Sequence, residues 1–171
     1  VAKRGLKDYY GAIADYTKVI ELAPNFATAY NYRGLAKRGL KDYYGAIADY
    51  TKAIELDTDH TAYNNRGSAK DDLKDYYGAI ADFTKSIELS PNYADAYYNR
   101  GISKFNLKDY YGAIADHTKA IELNPNDDEA YYNRGRAKES IGDLNGACAD
   151  WKKAAELGDT EAAERVANKC T

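Results

Sequence analysis

The sequence predicts an all-α protein, a solenoid of antiparallel helix pairs. Three observations predict it. The string KDYYGAIAD occurs at 7–15, 41–49, 74–82 and 108–116, at spacings of 34, 33 and 34, and a worn fifth copy, GDLNGACAD, runs over 142–150. A second string, YNNRG or a close variant, ends at Gly34, Gly67, Gly101 and Gly135. Only three prolines interrupt 171 residues, which suits long helices. Self-similarity at a period of 20–50 residues marks a stacked supersecondary unit, so the repeat is read before anything else.

Each unit reads as two helices. In the second unit the first helix is expected over about 28–39 and the second over about 43–56. Tyr43, Ala46, Ile47, Tyr50, Ala53 and Ile54 form the i, i+3, i+4, i+7 stripe of an amphipathic helix. Asp42 stands at an N-cap position, and Asp8, Asp75, Asp109 and Asp143 repeat it. Pro24, Pro91 and Pro125 stand just past second helices, where proline stops a helix; Thr58 takes that place in the one short loop, ELDTDHTAY.

These readings divide the chain into a partial unit 1–26, full units 27–59, 60–93, 94–127 and 128–161, and a closing helix over 162–171. Val1 aligns with Leu35 and the chain contains no Met, so it is expected to be a processed product or a cut fragment whose first helix pair is entered midway. A repeat buries its apolar face only against neighbours. The helix at 9–22 is therefore expected to lack part of its cover. At the other end Ala163, Val166, Ala167 and Cys170 read as one apolar stripe on a capping helix, with Glu161, Glu164, Arg165 and Lys169 on its wet side.

Thirty-four-residue helix pairs resemble the tetratricopeptide repeat, whose pattern is W-x2-L-G-x2-Y, then A-x3-F, then P. Tyr30, Arg33, Gly34, Lys37, Ala46, Tyr50 and Thr58 carry that pattern in the second unit. Tyr97, Arg100, Gly101, Lys104, Ala113, His117 and Pro125 carry it in the fourth. The wording NRG and GAIAD is similar to bacterial, cyanobacterial-type members. The resemblance implies a right-handed superhelix with the first helices lining a concave groove. Two departures recur: Arg33, Arg66, Arg100 and Arg134 replace the usual Leu, and Lys37, Lys70, Lys104 and Lys138 replace the second aromatic. This cationic row is expected to pair with Asp49, Asp82, Asp116 and Asp150 and to cover apolar surface with its aliphatic stems.

The resemblance also places a partner site. Its groove-facing residues would be Asn31, Asn64, Asn65, Tyr98, Asn99, Tyr132 and Asn133, then Ile102 and Arg136 one turn on, and Phe105 near the far end. A carboxamide both donates and accepts, so recurring Asn65, Asn99 and Asn133 suit the backbone of an extended peptide; bridging between neighbouring repeats would use the same chemistry. Tyr98, Ile102, Phe105 and Tyr132 offer aromatic and apolar anchors. Family members that hold acidic chaperone C-termini use clamp lysines, whereas here Thr28, Thr61, Asp95 and Glu129 stand at the start of the first helices. With Asp71 and Asp72, these acids fit a neutral or basic segment better. Tyr10, Tyr44, Tyr77 and Tyr111 are expected to pack between second helices with their hydroxyls in water, a contact surface being the alternative.

The expected function is a non-catalytic protein–protein interaction scaffold, with a self-assembling structural repeat (dimer, or head-to-tail through the uncovered N-terminal face) as the alternative. No Ser-His-Asp or Cys-His arrangement, P-loop or dinucleotide fingerprint is present. His117 stands where Tyr16, Tyr50, Phe83 and Trp151 stand in other units and reads as a packing residue. No cofactor or metal is implied: two Cys and the distant His60 and His117 lack ligand spacing. Net charge −3 gives no general attraction for nucleic acid or anionic lipid, and no apolar run nears the roughly 20 residues a membrane span needs. Cys148 and Cys170 flank the Gly158–Asp159 turn almost symmetrically, which leaves two readings open, two buried thiols or a disulfide. The first leaves a cytoplasmic protein, the second an oxidising compartment.

Overall fold

The structure, a computed structural model, describes residues 2–170, with side chains from Asp8 onward. Val1 and Thr171 lie outside the described residues, so the alignment of Val1 with Leu35 is not addressed. The chain forms two compact units, residues 1–91 and 92–171. The first contains α1 (Ala2–Leu22), α2 (Ala27–Gly39), α3 (Tyr43–Leu56), α4 (His60–Asp72) and α5 (Tyr76–Leu89). The second contains α6 (Ala94–Asn106), α7 (Tyr110–Leu123), α8 (Asp128–Ser140), α9 (Leu144–Leu157) and α10 (Thr160–Lys169). Within each unit every helix packs on the next, and the first helices of successive pairs, α2 with α4 and α6 with α8, also touch.

The DYYG string builds the start of each second helix. Asp42 accepts the Gly45 N–H at 3.0 Å, Asp75 that of Gly78 at 3.0 Å, Asp109 that of Gly112 at 2.9 Å and Asp143 that of Gly146 at 2.9 Å. Each cap satisfies one otherwise orphaned donor. It also explains the glycine: a Cβ at Gly45 would stand 2.1 Å from Asp42 Oδ2. The turn before the cap uses a left-handed residue, Lys41, Lys74 and Lys108 at φ 64° and Gly142 at φ 86°. There the Asp42 N–H reaches back to the Lys37 carbonyl at 2.9 Å, repeated by Asp75 to Lys70 and Asp109 to Lys104, so paired helix-end carbonyls offset the strain.

The second string brings each helix pair together. Gly34 lies under the Tyr50 ring, Gly67 under Phe83, Gly101 under His117 and Gly135 under Trp151; an added Cβ would meet these rings at 2.6, 2.7, 2.8 and 2.5 Å. The four rings are fully buried among alanines. His117 is thus a packing residue, as the sequence implies.

The cationic row does pair with the acidic row. Arg33 grips Asp49 through Nε and Nη2 at 2.9 and 2.7 Å, and Lys37 reaches the same carboxylate at 2.7 Å. Arg66 and Lys70 hold Asp82, Arg100 and Lys104 hold Asp116, and Arg134 and Lys138 hold Asp150 in the same way. Each aspartate is only 4% exposed. The guanidinium lies over the tyrosine one turn back, 5.5 Å for Arg33 over Tyr30, and its Nη1 reaches a threonine of the preceding helix pair, Thr17 at 3.2 Å. All three guanidinium nitrogens of Arg33 thus donate within the fold.

Three expectations are corrected. Asp8 lies inside α1, not at an N-cap: α1 is continuous through the expected turn. The closing helix starts at Thr160, capped by Asp159, and buries Ala162, not Ala163 and Ala167, which are exposed; Arg165 is half-buried rather than wet. The tyrosines at the start of the second helices do not pack between helices: Tyr10, Tyr44, Tyr77 and Tyr111 are 67%, 76%, 77% and 74% exposed. Tyr44, Tyr77 and Tyr111 stand at the second position of α3, α5 and α7, and Tyr10 at the matching place inside α1, away from the stripe that Ala46 and Tyr50 bury.

Candidate functional site

The first-helix faces of the two units differ in chemistry. In the first unit, Asn65 on α4 donates through Nδ2 to Asn31 Oδ1 on α2 at 3.1 Å. The amide thus bridges two successive first helices, the second of the two roles that its chemistry allows. The pair borders a cleft of about 280 Å³ lined by Thr28, Asn31, Tyr32, Asp57, Asp59 and Thr61 among others. Asn64 does not line a groove: it is 6% exposed. At the same repeat position Asn31, Tyr98 and Tyr132 are only partly buried. Asp72, expected to attract a basic segment, is taken by Arg38 at 2.6 Å.

The second unit gathers most of the expected residues. Tyr98 on α6 donates to Glu129 on α8 at 2.6 Å, and Tyr132 on α8 donates to Glu161 on α10 at 2.9 Å. The two phenol–carboxylate pairs are one structural motif repeated in successive helix pairs. Burial, then the bond to Glu129, pushes the Tyr98 phenol far up from its ordinary value, so it remains a donor at any physiological pH. Asn133 donates to the Tyr98 hydroxyl at 3.3 Å and to the Glu129 carbonyl at 3.0 Å, and accepts from Arg136 Nη1 at 3.1 Å. Both its donors are used, so Asn133 positions its neighbours. Together with Asp128, Asp159 and Thr160, these side chains line a cleft of about 440 Å³.

Arg136 lies one turn further along α8. Its guanidinium stacks 4.7 Å from the Phe105 centroid and 5.8 Å from that of Tyr132, and it forms no ion pair among the described residues. Ile102 and Asn99 are half-buried on α6.

The sequence reading leaves Asp159, Glu161 and Arg165 outside the partner site, as turn and capping-helix residues. Arg165 crosses Trp151 at 5.0 Å and Tyr132 at 5.4 Å, donates to the Tyr132 hydroxyl at 3.2 Å and pairs with Glu139 at 3.0 Å. One signal was present: Thr160-Glu161-Ala162 repeats the register of Asp128-Glu129-Ala130, so α10 stands as a truncated first helix. Beside it, Cys148 and Cys170 are joined as a disulfide with Cα atoms 5.6 Å apart, and both residues are half-exposed rather than buried thiols.

Helix pairs closed by glycine under a ring, with polar and aromatic side chains along the first-helix faces, define a helical-repeat interaction scaffold. The chain belongs to the tetratricopeptide repeat family. Family models described as tetratricopeptide repeat match residues 1–26, 27–60, 60–93, 94–127 and 118–149. A crystal structure of MamA is 31% identical, over 95% of this chain and 95% of that chain, with a TM-score of 0.82. A MamA fragment from Desulfovibrio magneticus RS-1 is 22% identical over 91% of this chain and 89% of that one, TM-score 0.80, a likeness of fold. The first tetratricopeptide domain of Spaghetti (RPAP3), solved bound to the HSP90 peptide SRMEEVD, is 28% identical over 68% of this chain and 93% of that one, TM-score 0.67. No curated protein matches the chain.

Proposed function

We propose that this protein is a non-catalytic scaffold that holds an extended segment of a protein partner against its first-helix faces, and that the segment is neutral or basic. The observation that carries this reading is the 440 Å³ cleft of the second unit, walled by Glu129, Glu161, Asp128 and Asp159 and floored by Tyr98 and Tyr132. A lysine or arginine there meets carboxylates already oriented by phenol donors, with ring faces beside it. Arg136, a multiple donor that spends Nη1 on Asn133, suits main-chain carbonyls of the same segment. In the same unit Asn99 extends polar contact along α6, and Ile102 and Phe105 add apolar area. The RPAP3 domain's peptide, SRMEEVD, is acidic at its end. The present cleft is itself acidic and would repel such an end, which supports a different ligand class on a similar fold.

The test is binding of two probe peptides, acetyl-(Lys-Ala)3-amide and acetyl-(Glu-Ala)3-amide, to the parent and to a Glu129→Gln, Glu161→Gln variant. The lysine peptide is expected to bind the parent at least tenfold more tightly than the glutamate peptide, and the variant to lose that preference. Equal binding of both peptides by the parent would discard the cleft as a basic-segment site.

A second reading, self-assembly, is favoured by the exposed Tyr10, Tyr44, Tyr77 and Tyr111, aromatic side chains that recur at one repeat position. Sedimentation velocity across a hundredfold concentration range decides it: a constant monomer mass removes this reading.

A further inference from the structure

One wall of the cleft, Asp159 and Glu161, belongs to α10, and α10 is weakly held. It has ten residues, of which Ala162 alone is fully buried. Val166 is half-buried, and Arg165 and Lys169 both pair with Glu139 near the surface. Partly exposed ion pairs contribute little, and an isolated helix shorter than about 12–15 residues does not persist in water. Beside the Arg165 stacking on Trp151 and Tyr132 and the Tyr132–Glu161 bond, one tie is covalent: the Cys148–Cys170 disulfide joins α9 to the residue that follows α10. That bond borders a surface cleft of about 390 Å³ lined by Leu144, Asn145, Ala149, Lys152 and Lys169. A reductant therefore has access to the sulfurs.

We propose that Cys148–Cys170 is a redox latch on the partner cleft. A dithiol reductant attacks one sulfur, the S–S bond breaks, and the mixed disulfide resolves within the reductant. Two electrons pass to the protein, the dithiol becomes a disulfide, and its two protons end on the Cys148 and Cys170 thiols. Without the loop constraint α10 leaves α9. Arg165 then leaves Trp151 and Tyr132, Glu161 leaves the Tyr132 hydroxyl, and the acidic wall is dismantled. The effect on binding rests on the reading of the cleft given above; the release of α10 does not.

Trp151 is the only tryptophan, is fully buried and lies under Arg165, so it reports the docking of α10. The experiment compares the oxidised protein, the same protein in dithiothreitol, and a Cys148→Ser, Cys170→Ser variant checked for helicity. Amide exchange of α10 is expected to rise at least tenfold in both sulfur-unlinked forms, with increased acrylamide quenching of Trp151, while α6 and α7 keep their rates. Equal α10 exchange with and without dithiothreitol overturns the latch. So do two titratable thiols in denatured protein purified without reductant. The acetyl-(Lys-Ala)3-amide probe separates the two ideas: it is expected to bind the oxidised form several-fold more tightly, and release of α10 with unchanged affinity would keep the latch and remove the wall from the binding site.

Discussion

The backbone of Gly101 passes directly under the imidazole of His117: a Cβ added at Gly101 would stand 2.8 Å from the ring Cε1 and 2.9 Å from Nε2. The ring is wholly buried and cannot swing away, so α6 approaches α7 only because position 101 has no side chain.

Gly101→Leu is therefore expected to destabilise the protein by about 1–3 kcal/mol, the usual cost of overpacking a close contact. Asn99→Ala, two residues earlier on the half-buried face, is expected to cost less. Urea midpoints measure both, and equal midpoints would refute the helix register given above.

His117 also sets an acid sensitivity. Burial, by far the leading cause, lowers its pKa from 6.5 to about 4; Asp116 opposes this, and Arg134 and Arg136 add to it. Both ring nitrogens are buried with no hydrogen-bond partner among the described residues. The folded protein thus holds a neutral ring that the unfolded chain would protonate below pH 6.5. The contribution to stability is complete above that pH, declines as pH falls toward 4, and is flat below, for a total on the order of 3 kcal/mol. His117→Phe, which places the ring already used at Phe83, is expected to remove this component. Parallel stability curves for parent and variant between pH 7 and 4 would contradict it.

Asp150 is held by Arg134 at 2.7 Å and Lys138 at 2.8 Å and is 4% exposed. Asp150→Ala leaves two cations facing a site without a counter-charge. It is expected to cost roughly 3–5 kcal/mol, as when one partner of a buried pair is deleted. Thermal unfolding is the readout, and a loss below 1 kcal/mol would mean that water satisfies both cations.

Lys108 adopts φ 64° in the turn where the last full unit has Gly142 at φ 86°. Lys108→Gly removes a left-handed side-chain conformation and is expected to stabilise by up to about 1 kcal/mol, part of the gain being offset by a more flexible unfolded chain. A lower melting temperature would show that the lysine stem contributes packing that outweighs the strain.

The helix pairs were legible because their signals are local and repeated. The aspartate cap, the glycine three residues on and the apolar stripe from Tyr43 to Ile54 act within one turn or one face of a helix, and copying them at 34 residues makes coincidence untenable. The Arg33–Lys37–Asp49 triad was readable for the same reason: i, i+4 spacing fixes two cations on one face, opposite a recurring acid. Asn64 and Arg165 were misplaced because burial depends on what covers a residue. The same repeat position carries a buried asparagine in one unit and partly buried tyrosines in others.

By itself, then, the sequence determined the family, the helices from α2 to α9 and the residues that close each helix pair, since these follow from short-range geometry and periodicity. Only the tertiary structure decided which polar side chains spend their donors on one another. It set Asn65 against Asn31, joined Tyr98 to Glu129 and Tyr132 to Glu161, and brought the sulfurs of Cys148 and Cys170 together. Those contacts span 22 to 34 residues of chain. Their distances depend on how successive helices lie against each other, which no local pattern specifies.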